Sequence, residues 1–126
     1  MTPHNYVLDR NGNVKIATLD EWSAFLSSDR RKEFQWITYV GVYRISTVFL
    51  GLDHNYSTHG PPILWESMIF ADNQEDPLHQ QLTRCSGGIE QAESMHIRMV
   101  EHVKQQLVEQ GKNHDESSRD AGSDVH

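Results

Sequence analysis

The 126-residue chain has a single cysteine, Cys85, which excludes an intramolecular disulfide and any zinc site built from cysteines, and fits a reducing compartment. Basic residues are also in short supply: 11 Lys and Arg against 18 Asp and Glu leave a net charge of -7 with neutral histidines. A duplex-binding groove needs a concentrated basic face, so duplex nucleic acid is not an expected partner. Such an acidic chain remains compatible with a protein partner, a small ligand, or mimicry of nucleic-acid charge. Long apolar runs are missing. The longest, 45–52, is interrupted by Ser46, Thr47 and Gly51 and falls far short of the roughly 20 residues of a bilayer helix. The start, Met1-Thr2-Pro3-His4-Asn5, has neither a basic nor an apolar character, so no secretory signal is expected and a cytoplasmic location is. Familiar catalytic motifs are absent as well. There is no Gly-x-Ser-x-Gly elbow, no Gly-x-x-x-x-Gly-Lys loop and no His-Glu-x-x-His helix.

What the chain does hold is enough for one α+β domain over residues 1–110, followed by a polar tail, 111–126, expected to be disordered because it offers almost nothing to bury. Asn11-Gly12 suits a tight turn between two short strands. Thr18 and Glu21 carry capping-box spacing, so a helix starts here, with Leu19, Trp22, Phe25 and Leu26 facing inward. The basic cluster Arg30-Arg31-Lys32 reads as a solvated corner. Residues 34–40 and 42–52 are dense in β-branched and aromatic side chains and form a hairpin about Gly41. On the second strand Tyr43, Ile45, Thr47 and Phe49 share one face. A loop with Pro61-Pro62 leads into a strand over 63–71, and a short last strand is expected over 82–85. From Ile89 the positions Ala92, Met99, Val100, Val103 and Leu107 have helical spacing, with His96 in the same stripe. The expected fold is a small antiparallel sheet of four to five strands packed against this long C-terminal helix, with the short helix following an N-terminal hairpin.

Three features point to chemistry: the loop Asp53-His54-Asn55, the carboxylate Glu66 in an otherwise apolar row, and His96 on the inward helix face. If the helix covers the sheet, all three could converge, and a carboxylate beside an imidazole suits proton transfer. Each also has a plain structural reading. A helix His can be a satisfied core residue, Glu66 can pair with an Arg such as Arg44, and Asp-His-Asn can be turn chemistry. Asp53, His54, His59, Glu66 and His96 are metal-ligand types, but their spacing matches no metal motif, so neither a metal nor another cofactor is expected. Ser86-Gly87-Gly88 marks a helix start that either is capped or holds an anion on its free amides.

The run Ile45-Ser46-Thr47-Val48-Phe49-Leu50-Gly51-Leu52-Asp53-His54-Asn55-Tyr56, with Gly60-Pro61-Pro62-Ile63-Leu64-Trp65-Glu66-Ser67-Met68-Ile69-Phe70, resembles a family of small uncharacterised proteins of bacteriophages and prophages. Leu8-Asp9-Arg10-Asn11-Gly12 and Gln91-Ala92-Glu93-Ser94-Met95-His96 extend the likeness over most of residues 5–105; Trp65, Ser94-Met95 and the tail depart from it. The resemblance implies phage origin and a place in the infected bacterial cell, and names no activity. Small phage accessory proteins often counter bacterial defences. The expectation is a non-enzymatic, homo-oligomeric sponge that sequesters a nucleotide-derived immune signal in a pocket of Arg44, Asp53, His54, Asn55, Glu66 and His96. Two alternatives stay open: a cyclic-nucleotide phosphodiesterase with His54 and His96 as base and acid and Glu66 orienting one of them, and an acidic inhibitor that binds a host defence protein.

Overall fold

The computed structural model describes residues 4–57 and 59–113, and the expected tail over 114–126 lies outside them. The fold is α+β: a two-stranded and a four-stranded antiparallel sheet packed with a long C-terminal helix and a short helix after the N-terminal hairpin. The hairpin pairs β1 (Asn5–Leu8) with β2 (Val14–Ala17). Its turn uses Gly12 at φ +82, a conformation that glycine adopts at little cost. Next comes α1 (Leu19–Ser27), which starts at the expected capping box: Thr18 Oγ1 accepts from Glu21 N–H and Glu21 Oε1 accepts from Thr18 N–H. Phe25 is buried, and Trp22 and Leu26 pack partly against the same core, but Leu19 is 64% exposed. At the first helical position Leu19 lies beyond the stripe that meets the hairpin.

The basic cluster is not a solvated corner throughout. Residues Asp29–Phe34 form a 3-10 turn, and Arg30 folds back, donating from Nη2 to Leu8 O at 3.0 Å with its guanidinium 5.8 Å from the Phe25 ring centre.

The main sheet has the order β3 (Trp36–Val40), β4 (Tyr43–Phe49), β5 (Ile63–Ala71), β6 (Leu82–Ser86), all antiparallel. Val40 pairs with Tyr43 across a two-residue turn, and Gly41 at φ +58 supplies the turn's first central residue. Strand alternation divides the sheet into two faces. Tyr43, Ile45, Thr47 and Phe49 are buried on the face met by α2 (Ile89–Asn113), which touches all four strands. From the helix, Ala92, Met95, His96, Met99, Val100 and Val103 are buried. The helix runs through Gly111 to Asn113, three residues beyond the expected boundary, because Gly within a helix costs only about 1 kcal/mol.

Among the described residues no element packs on the opposite face. It carries Tyr39, Arg44 and Phe70 in one cross-strand row, Ile37, Ser46, Met68 and Leu82 in the next, and Val48, Glu66 and Arg84 in a third.

Candidate functional site

The expected constellation separates into three places. His96 lies between α2 and the sheet, 5% exposed. Its Nε2 is 2.8 Å from Thr38 Oγ1 and its Nδ1 is 2.7 Å from Thr47 Oγ1; the Thr47 hydroxyl is in turn hydrogen-bonded to Ser67 Oγ. Both ring nitrogens are therefore occupied, and burial pushes the His96 pKa below its usual value. This is a satisfied core polar group, in a chain that runs from β3 through the helix to β4 and β5.

Glu66 stands on the other side of the sheet. The pairing Thr47↔Ser67 and Val48↔Glu66 makes the reason plain: Ser67 faces the helix, so its neighbour Glu66 cannot. Its Oε2 accepts from Arg84 Nε at 2.8 Å, a residue of its own cross-strand row, two rows from the expected partner Arg44. Arg44 instead lies over the Phe70 ring at 4.4 Å. Of the six expected site residues, Arg44 and Glu66 share this uncovered face and the others do not.

Asp53, His54 and Asn55 form a loop tied to itself. Asp53 Oδ1 accepts from Asn55 N–H at 2.7 Å and Ile63 N–H at 2.8 Å. Asn55 Nδ2 donates to His59 O and Pro61 O, both at 2.9 Å, and His54 Nδ1 sits 2.9 Å from Leu52 O. The turn reading accounts for all three side chains. The expected shared pocket is therefore corrected: loop acid and imidazole, strand carboxylate and helix imidazole occupy separate surroundings. The phosphodiesterase alternative loses its geometry, since His54 and His96 act on no common point.

Elsewhere, Gln91 Oε1 accepts from Gly88 N–H at 2.9 Å, so the glycine-rich helix start is closed by its own side chain. His102 Nε2 lies 2.9 Å from Gln81 Oε1. The Cys85 thiol is pushed up by burial, against a smaller opposing effect of Arg98, which makes it a poor nucleophile. Among the described residues no three His, Cys, Asp or Glu side chains are placed to hold a metal.

A cleft does exist, and it lies at the other end of the chain. The N-terminal hairpin, α1 and the 3-10 turn enclose about 480 Å³, half open to solvent, over an apolar floor of Val7, Leu8 and Phe25. Three cations line it: Arg10, Lys15 and Arg30. Two acids line it too, each with one carboxylate oxygen held by backbone N–H groups, and the Lys15 charge acts on both. Asp9 Oδ1 accepts from Asn11 and Asn13 N–H, both at 2.9 Å, and the Asn13 bond leads in holding its pKa below the usual carboxylate range. Glu21 closes the capping box, and its bond from Thr18 N–H lowers its pKa in the same way. Among the described residues Arg10 and Lys15 form no ion pair. Sequence reading missed these residues because they come from four separated segments; the one available signal was the concentration of Arg and Lys about the Asn11-Gly12 turn and after α1.

The chain matches no family model, no curated protein and no solved structure, so what it does has to be argued from these residues. No helix among the described residues is long and apolar enough to cross a membrane.

Proposed function

We propose that the protein is a non-enzymatic binding protein that sequesters a small anionic molecule in the cleft formed by β1, β2 and α1. One observation carries the reading: Arg10, Lys15 and Arg30 line one cleft with Val7, Leu8 and Phe25, where they outnumber Asp9 and Glu21, in a chain whose net charge is -7. The acidic remainder of the surface repels anions, so cations assist anion binding only where they are gathered, as here. Arg30 is committed to Leu8 O and the Phe25 ring and shapes the wall, while Arg10 and Lys15 are left to meet the ligand. The volume of about 480 Å³ lies within the 300–1,000 Å³ range of small-molecule sites.

A nucleotide-derived signal fits this chemistry, with its phosphates on the cations and its base on the apolar floor. The resemblance of 45–56 and 60–70 to phage proteins names no ligand; within this proposal it is the reason for expecting the activity in an infected bacterial cell, as a countermeasure to host defence. Retention rather than turnover follows from the lining. Asp9 and Glu21 are bound to backbone N–H groups, and neither is paired with an imidazole or a nucleophile.

The test is to incubate the protein with cyclic dinucleotides and ADP-ribose derivatives, wash it, release what is held by heating and identify it. Intact ligand is expected from the wild type, and Arg10→Gln with Lys15→Gln is expected to weaken affinity about tenfold per lost charge-assisted contact. Chemically altered ligand, or binding undiminished in the double variant, overturns the proposal. Retention of none of these compounds overturns it too, and leaves docking of the acidic surface on a host defence protein.

A further inference from the structure

The outer edge of β3 is independent of the cleft, none of whose residues lies on that strand. Leu50 N–H donates to Leu64 O, and in the same register the even-numbered residues of β4 bond β5, while Tyr43, Ile45 and Thr47 bond Val40, Thr38 and Trp36 of β3. The N–H and C=O groups of Ile37 and Tyr39 therefore point away from the sheet, and no hydrogen bond among the described residues reaches them. Ile37 is 45% exposed and Tyr39 71%. We propose that this edge pairs with β3 of a second copy of the chain, antiparallel about a twofold axis beside Thr38, so that the two main sheets continue into each other.

The order of the strand, Trp36-Ile37-Thr38-Tyr39-Val40, selects the occupant. Laid against itself about Thr38, it sets Ile37 opposite Tyr39 of the second copy, Trp36 opposite Val40, and Thr38 opposite Thr38. Aromatic against β-branched and Thr against Thr are favourable cross-strand pairs, and no charged side chain stands at the junction. Parity agrees with this register. Ile37 and Tyr39 both direct their backbone groups outward, so they meet as a pair that exchanges both N–H···O bonds, and the axis makes that pair twice. An axis beside Ile37 or Tyr39 keeps the parity but sets Tyr39 opposite Gln35, or Ile37 opposite Gly41, both outside the strand. Two other strands are closed to such pairing. β6 carries Arg84 at its centre, and its pairing with β5 breaks register between Ile63 and Trp65. On β1, Tyr6 N–H donates to Gly51 O and Leu8 O accepts from Arg30. β3 has no charge, proline, bulge or covering residue, the devices that keep an edge from pairing.

The contact runs along about 17 Å of strand and falls below the roughly 800 Å² per partner of a standard stable interface. Association is therefore expected with a Kd of about 10–100 μM rather than nanomolar. Sedimentation velocity on the full chain from about 5 μM to 500 μM spans that range, and the wild type is expected to shift from monomer to dimer across it. Hydrogen exchange at the two ends of the series reads the register: the Ile37 and Tyr39 amides are expected to slow as the dimer forms. Tyr39→Pro removes an outward N–H without touching the β3–β4 ladder, a position where an edge strand tolerates proline, and is expected to stay monomeric with an unchanged far-ultraviolet circular dichroism spectrum. Tyr39→Lys leaves the backbone intact at an exposed site and is expected to weaken the dimer several-fold, which keeps the test open if the proline variant misfolds. A wild type that is monomeric throughout overturns the proposal. So does a dimer that survives both substitutions, or one that forms without slowing the Ile37 and Tyr39 amides, since association then belongs to another surface.

Discussion

His96 is the residue on which pH acts most directly. In the unfolded chain its imidazole titrates near the ordinary value of about 6.5, and in the folded protein burial holds the pKa lower. Below pH about 6.5 the unfolded state therefore takes up a proton that the folded state resists, so stability is lost as pH falls, by at most about 1.4 kcal/mol per pH unit for this one group. Above that pH both states are neutral and the contribution is flat. Denaturant melts at pH 7.5 and 5.0 are expected to show this loss in the wild type and a smaller one in His96→Gln; equal losses would assign the acid sensitivity to other groups. Thr47 tests the same hydrogen-bond chain from the strand side. Thr47→Val keeps the volume and strands both His96 Nδ1 and Ser67 Oγ, and a loss of about 1–3 kcal/mol is expected in urea melts. Nucleotide retention is expected to be unchanged, because His96 lies outside the cleft. At this scale the sequence was legible in part. Helical spacing put His96 inward correctly. The period of two that placed Thr47 inward also separates Glu66 from it, since Ser67 pairs with Thr47 and its neighbour must face away. Joining Glu66 to His96 required ignoring that parity.

Elements were easier to read than sites because their signals are local. The capping box at Thr18 and Glu21 involves residues three apart and forms as expected; Thr18→Ala is expected to lower stability by about 1 kcal/mol in a thermal or urea melt. The strand over 63–71 was legible from the extended exit that Pro61-Pro62 impose, and it forms with those bounds. The cleft was not, because its shape depends on how the hairpin sits against α1, and that contact is set by tertiary packing of residues such as Val7, Leu8 and Phe25. Arg30 shows the same limit. Its charge suggested solvent, yet the nearby Leu8 carbonyl and Phe25 ring draw it inward. Gly12 joins two elements. A Cβ there would overlap the Ile89 side chain and press on Phe34, at a φ that only glycine adopts freely. Gly12→Ala is expected to cost about 2–4 kcal/mol in a urea melt, whereas an Ala at the exposed Gly111, with nothing within 4 Å, is expected to be neutral or mildly stabilising.

For the whole molecule, the contact between the Gly12 turn and Ile89 carries the most weight. Val7 and Leu8 share one core with Ala92 and Met95, so the first strand and the last helix finish each other's burial although more than 80 residues separate them. Contacts of such high sequence separation form late, after the intervening loop entropy has been overcome. On a ribosome the consequence is one of timing. The hairpin emerges early but must wait, its apolar side open to chaperones, until the segment from Ile89 onward has left the exit tunnel; a nascent chain stalled before that point is expected to remain protease-sensitive, and one stalled well past it to be resistant.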